Sequence, residues 1–358
     1  MNYFRYFTII SIFLLSIDAT TIDASHQKEE LSFAERLANQ IDPATNKNGN
    51  AYIWSKLDSD TQETQELLGS NLNGGFFGLE PYKTNYILPF SYSTHKYKRI
   101  SSSTYYGNYP SDMLEKYGEY EKNMEVEFQI SFRKSLTYNL FGLNESINFS
   151  YTQKVWWQIY SDSSPFRETN YSPELFLVVP SPQKLDDFMG LKILKIAYLH
   201  ESNGQEGYQS RSWNRFYVDG MWQWDNLFLS TRVWYRFNEN EKYGGYYEGN
   251  PNPTTGLYDA NYEGDDNPDI DEYLGFGDIK LNYLYKKNQI SALVRYNFAK
   301  GGKNRGAIDL SWSYPFLSSE NTFWYVKFFN GYGESLIDYD RCITKAAFGF
   351  SFSRALFK

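Results

Sequence analysis

The stretch MEVEFQISFR, Met124 to Arg133, decides the fold class. Met124, Val126, Phe128, Ile130 and Phe132 share one parity, and Glu125, Glu127, Gln129, Ser131 and Arg133 the other. A two-residue period belongs to a β-strand, whose successive side chains point to opposite faces. This strand is therefore greasy on one side and charged on the other. The pattern recurs where Ile308, Leu310, Trp312 and Tyr314 oppose Ala307, Asp309, Ser311 and Ser313. Ala292, Val294, Tyr296 and Phe298 oppose Ser291, Arg295 and Asn297, with Leu293 the exception, and Phe348, Phe350 and Phe352 oppose Ala347, Gly349, Ser351 and Ser353.

About twelve such segments, each roughly 9–12 residues, follow from Thr84 to the end, the length of a tilted membrane strand. Their expected starts are Thr84, Val126, Ile147, Pro173, Lys192, Arg211, Asn226, Tyr273, Gln289, Gly306, Asn321 and Ile343. Tight connectors (Lys287-Asn288, Leu317–Glu320) alternate with long ones such as the acidic stretch Asn238–Glu272. Short turns at one end and long loops at the other mark an outer-membrane barrel. A soluble β-sandwich alternates too, but its apolar face is usually aliphatic, whereas here Tyr, Trp and Phe dominate. Aromatic residues make up 19% of the 358-residue chain, with 33 Tyr, 27 Phe and 9 Trp. Mean hydropathy is nevertheless −0.59. The expected fold is all-β, a transmembrane antiparallel barrel of about twelve strands.

The net charge of −8 leaves no basic excess for neutralising phosphates, which argues against a nucleic-acid partner. The single cysteine, Cys342, excludes an intramolecular disulfide framework and a cysteine-rich metal site. At the N-terminus, Arg5 precedes an apolar run from Tyr6 to Ile17, the length of a signal-peptide core, with Ala19 and Ala24 as candidate cleavage points. A short buried helix or strand is the alternative. The run falls short of the ~20 residues of a spanning helix. The expected organisation is a signal peptide over residues 1–24, a coil segment over 25–82 with a short helix within Leu31–Ile41, and the barrel over 83–358.

Candidate chemistry concentrates at one hairpin. His26 and His95 read as bystanders, but His200 ends a strand and opens His200-Glu201-Ser202-Asn203-Gly204, followed by Arg211-Ser212-Trp213-Asn214-Arg215. Parity puts His200 and Ser202 on one face. If His200 pairs with Asn214, the midpoint falls on Gly207, a residue suited to a tight reversal. Hydroxyl, imidazole and carboxamide then converge as the nucleophile, base and orienting group of a triad. A neutral Asn avoids the cost of burying a carboxylate beside hydrocarbon. By itself an H-x-S pair is a weak signal, more often an ordinary polar strand end. Leu194, Ile196 and Tyr198 share the parity of His200, and Phe216, Val218 and Trp222 that of Asn214. If the greasy side faces lipid, so does the triad, and its substrate is a lipid ester. A catalytically silent channel or adhesin is the alternative, which charged inner positions (Arg133, Lys195, Arg215, Asp219, Arg232) disfavour by filling the lumen.

Seven blocks resemble the calcium-dependent outer-membrane phospholipase A family: Tyr151-Thr152-Gln153, Trp156-Trp157-Gln158, Ser163–Tyr171 (SSPFRETNY), HESNG from His200, RSWNR from Arg211, DDNPDI from Asp265 and GYGESLIDY from Gly331. The resemblance implies hydrolysis of acyl esters at both glycerol positions of phospholipids, with Ser202 as nucleophile, His200 as proton acceptor and Asn214 orienting it. It implies an oxyanion contact from the Gly204 N–H and a homodimer activated by Ca2+. The metal would be held by Ser163 of one subunit with the Gln205 carbonyl and Ser210 of the other. Gln153 would sit at the dimer interface. Asp266 would bind a second calcium, or else belong to a solvated turn. The Trp156-Trp157 pair itself reads as an interface belt element in preference to a substrate clamp. Gly207 contributes no carboxylate, so the expected calcium affinity lies near 10⁻⁴–10⁻³ M, about the weak end of the extracellular range.

Overall fold

The computed structural model describes residues 31–40, 56–57, 79–97, 120, 122–205, 209–239, 265–298 and 304–356. The signal run, His26, Glu206, Gly207 and most of the acidic stretch after Asn238 lie outside the described residues. A two-residue strand, β1 (Glu80–Pro81), precedes β2 (Tyr86–Ser93), β3 (Met124–Tyr138), β4 (Ser146–Trp157) and β5 (Phe166–Pro180). Then come β6 (Leu191–Ser202), β7 (Ser212–Trp224), β8 (Leu227–Phe237), β9 (Gly277–Tyr285), β10 (Asn288–Tyr296), β11 (Gly306–Pro315), β12 (Phe323–Gly331) and β13 (Ile343–Ser351). Each strand from β2 onward pairs antiparallel with the next, and β13 returns to β2 through Phe348↔Phe90 and Lys345↔Ser93. The result is a closed barrel of twelve strands, with β1 lengthening the β2 edge against β3. Closure leaves no unpaired edge, which a chain surrounded by hydrocarbon requires.

Connections alternate in length as the sequence leads one to expect. β7–β8 and β9–β10 are joined by residues 225–226 and 286–287, with Asp225 and Lys286 at positive φ, as two-residue hairpins require. At the other end lie the long 94–123 and 238–276 connections and the 203–211 loop, so that end is the extracellular one. Among the described residues three short helices accompany the strands: α1 (Phe33–Asn39), α2 (Gln183–Met189) and α3 (Ile270–Leu274). No helix among the described residues is long and apolar enough to cross a membrane; the strands do so.

Parity assigns the faces as expected. On β3, Glu125 and Glu127 are fully buried while Ile130 is 55% exposed. The exposed row continues around the wall through Leu175, Tyr198, Phe216, Tyr235 and Phe348. Inside, Arg167 contacts Glu125 at 2.9 Å and Asp338 at 2.5 Å and stacks 3.8 Å from the Tyr97 ring. Lys345 reaches Glu127 at 2.8 Å and Glu334 at 2.6 Å, and Lys327 reaches Glu127 at 2.7 Å. A second group, nearer the periplasmic end, joins Lys195 to Glu174 at 2.7 Å, with the Tyr82 and Tyr217 hydroxyls donating to Glu174. Buried charges must be paired to be tolerated, and these are. The lumen is a filled polar core, which removes the reading of the barrel as an open channel.

Three expectations differ from the structure. β5 begins at Phe166, well before Pro173: a register shift opposite Trp156 and Trp157 makes Arg167 an extra residue, so that it and its neighbour Glu168 both turn into the polar lumen, with Asn170 following by parity. Tyr273 lies in α3, and β9 begins at Gly277. Trp156 is no belt residue: adjacent strand positions face opposite ways, so only Trp157 faces outward. Trp156 is 1% exposed, with its indole N–H on Glu334 at 2.5 Å.

Candidate active site

The β6–β7 hairpin carries the candidate residues, and its register pairs His200 with Asn214 and Ser202 with Ser212. On the inner parity Ile193, Lys195, Ala197 and Leu199 are almost fully buried. His200 and Ser202 share the outward parity of Tyr198, which is 45% exposed, and all three candidates are half-buried. His200 Nδ1 lies 2.9 Å from Asn214 Oδ1. An amide oxygen only accepts, so Nδ1 carries the proton and Nε2 keeps its lone pair. The Tyr198 hydroxyl donates to the same Oδ1 at 2.7 Å, and the Asn214 amide N–H donates to Glu239 Oε1 at 3.0 Å. Tyr198 was legible as a neighbour by parity. Glu239, just beyond β8 in an acidic stretch, carried no signal in the sequence.

Beneath the hairpin, Glu201 points inward and takes Arg215 at 2.5 Å and the Trp213 indole N–H at 3.0 Å. Pro173 lies in a gap of the β5–β6 ladder, which runs Tyr171↔Ser202 and resumes at Glu174↔Leu199. Proline has no N–H to donate there. The loop after Ser202 is closed by Asn203, whose Oδ1 accepts from Arg211 N at 2.9 Å and whose Nδ2 donates to Gln209 O at 2.7 Å. Gly204 sits at φ +64°, and a Cβ there would lie 3.0 Å from the Tyr171 ring. Only glycine takes both the left-handed backbone and the close approach without strain.

The candidate calcium residues occupy the same end of the barrel. Ser210 Oγ donates to Asp266 Oδ2 at 2.6 Å and Ser212 Oγ to the same oxygen at 3.3 Å. Asp266 is 7% exposed, and Asn267 Oδ1 accepts from Ser212 N at 3.0 Å, so the DDNPDI segment docks on β7 and is not a solvated turn. Gln205 and Ser163 are exposed; Ser163 stands on the separate 158–165 loop at φ +61°. Among the described residues no group of three or more His, Cys, Asp or Glu could hold a metal. Hydroxyl, carbonyl and carboxylate oxygens are nonetheless the donors a hard cation accepts. Gln153 faces outward on β4, and the registers Gln153↔Tyr171, Tyr171↔Ser202 and Ser202↔Ser212 place it in the same cross-strand row as Ser202.

Charge around the mouth is shaped by Arg236, which takes both oxygens of Asp265 at 2.6 Å. Partial burial, reinforced by Asp265 and Asp266, holds the Glu239 carboxyl above its ordinary range. Burial pushes Asp271, in α3, up to about 6.

Residues 62–352 match the family model described as phospholipase A1. The chain is 34% identical over 275 residues to the phospholipase A1 of Escherichia coli K12, covering 76% of this chain and 81% of that protein. Among solved structures, the outer membrane phospholipase A of Escherichia coli aligns with a TM-score of 0.60 at 31% identity, covering 77% of this chain and 98% of that one. The Salmonella typhi outer membrane phospholipase, a dimer with bound calcium, aligns with a TM-score of 0.61 at 29% identity, covering 80% of this chain and 97% of that one.

Proposed function

The chain belongs to the phospholipase A1 family, phospholipases of the outer membrane, and from that premise we propose that Ser202, His200 and Asn214 cleave the acyl esters of glycerophospholipids. The observation that carries this reading is the 2.9 Å His200–Asn214 contact on the outward parity of the wall, with Ser202 two residues along the same face. Ser202 Oγ attacks the ester carbonyl carbon while His200 Nε2 takes its proton. The imidazolium then protonates the departing glycerol oxygen, leaving an acyl-serine that water hydrolyses with His200 again as base. Asn214 holds the ring in the required tautomer. The Gly204 N–H would donate to the oxyanion. Outward placement brings the hydroxyl to membrane esters and away from soluble metabolites.

The calcium reading rests on the donor set. Ser210 donates to Asp266, which puts a hydroxyl and a carboxylate oxygen side by side; the Gln205 carbonyl and Ser163 of a second subunit would complete the set. Bound calcium would supply positive charge beside the developing oxyanion. Asp266, which accepts from Ser210, would be a ligand of this ion or of a second one. Gln153, in the Ser202 row, would form the amide contact across a homodimer seam. Delivery by a signal peptide over residues 1–24, ahead of a 25–82 segment and the 83–358 barrel, completes the reading. The test is fatty-acid release from phospholipid mixed micelles with calcium or EDTA. Wild type should release fatty acid only with calcium, and Ser202→Ala should release none while remaining a heat-modifiable barrel. Full activity in Ser202→Ala would remove the triad.

A further inference from the structure

We propose that Glu239 is a positioning residue of the hydrolytic site, acting through Asn214; this rests on the triad reading above. A primary amide is nearly symmetric in shape, so packing alone does not decide whether Asn214 shows His200 its oxygen or its NH2. The partners at its other end decide it. A carboxylate only accepts hydrogen bonds, and Glu239 Oε1 lies 3.0 Å from Asn214 Nδ2, which turns Oδ1 toward His200 Nδ1 at 2.9 Å. In the flipped amide, two carboxylate lone pairs would face an oxygen, and His200 Nδ1 would meet NH2 donors. The imidazole would then carry its proton on Nε2 and could not accept one from Ser202.

The Tyr198 hydroxyl supports the same orientation at 2.7 Å, but a hydroxyl can donate or accept, so it follows the amide and does not set it. Hydrogen bonds in series polarise one another, so an anionic acceptor on Nδ2 strengthens Oδ1 as acceptor for the imidazolium formed during reaction. The neutral triad thereby gains a carboxylate at one remove. Glu239 lies past the end of β8, so the charge stays outside the hydrocarbon. Around it stand Asp265, Asp266 and Arg236, with His200 reached through Asn214.

The experiment uses the full chain in detergent with calcium, measuring kcat, KM and the pH dependence of kcat/KM. Glu239→Ala should lower kcat about tenfold with KM nearly unchanged, the scale of one hydrogen bond to a charged group. Glu239→Gln, which keeps an acceptor oxygen without the charge, should recover most of kcat but move the acid limb to lower pH. In an Asn214→Ala background, Glu239→Ala should cost nothing further. Wild-type kcat in Glu239→Ala would overturn the proposal, as would a loss that persists in the Asn214→Ala background. A rise in the calcium needed, with kcat intact at saturation, would also overturn it by making Glu239 a metal ligand. Ser202→Ala separates the two claims: an active Ser202→Ala fells the triad, whereas an inactive one beside an unaffected Glu239→Ala fells only this inference.

Discussion

Replacing Glu201 by alanine tests whether the lumen holds the site on the outside of the wall. Glu201 lies between His200 and Ser202 but points inward, to Arg215 at 2.5 Å and the Trp213 indole N–H at 3.0 Å. The Arg215 guanidinium also stacks 3.6 Å from the Trp213 ring. The Arg215 and Glu201 side chains are 10% and 23% exposed, so water shields the pair only in part. Removing one partner of a buried pair costs about 3–5 kcal/mol, and an orphaned indole N–H about 1–3 more, in part the same loss. Discounting for the exposure of Glu201 leaves about 3 kcal/mol. The released strand carries His200 and Ser202, and misplacement approaching 1 Å costs about 10–100-fold in turnover. Denaturant midpoints of the barrel in lipid vesicles, read beside fatty-acid release, measure both effects. Glu201→Gln retains an acceptor and should lose only about 1 kcal/mol with most of the activity. A Glu201→Ala barrel with wild-type midpoint and turnover would refute the coupling between lumen and site.

Asp271, raised to about 6 by burial and with an unpartnered buried Oδ1, keeps its proton to higher pH in the fold than in the unfolded chain. A raised acid stabilises only at low pH, and that contribution is lost as pH climbs from its ordinary 3.8 through 6. Asp271→Asn should therefore gain about 1–3 kcal/mol at pH 8 and little at pH 4, by denaturant midpoints at the two pH values. Gly204→Ala places a Cβ against the Tyr171 ring at positive φ, and should lose about 1–2 kcal/mol and most of kcat, measured by the same midpoints and micelle assay. Ser163→Gly relieves φ +61° at an exposed loop position, so stability should hold or rise by about 1 kcal/mol. Calcium titrations of the same variant should need more metal for dimer and activity alike; an unchanged requirement would remove Ser163 from the calcium site.

The barrel was legible because lipid outside and polar lumen inside force a two-residue period onto every strand. The same parity puts His200 and Ser202 on one outward face, and the pairing of His200 with Asn214, only supposed from the sequence, is the one the register shows. Parity also separates Trp156 from Trp157, and reading them as one belt pair ignored it. The early start of β5 is hidden for a related reason: Arg167 and Glu168 suggest a loop until the Arg167 partners Glu125 and Asp338, and the Ile337 N–H that donates to Glu168, are known. Those partners come from distant strands and from the 332–342 loop, and no local pattern pairs them. Glu239 and Asp266 reach the hairpin across the long β8–β9 connection, where spacing along the chain says nothing about proximity. Local alternation thus reveals the wall and the hairpin, while long-range polar contacts reveal what the hairpin is tied to.

In the proposed mechanism Ser202 Oγ is the nucleophile facing the membrane. The most direct measurement is labelling by a long-chain alkyl fluorophosphonate, followed by mass spectrometry of the modified peptide. One stoichiometric adduct on Ser202 is expected in the calcium-loaded enzyme, abolished in Ser202→Ala and strongly slowed in His200→Ala. An adduct on another residue, or equal labelling in His200→Ala, would contradict it.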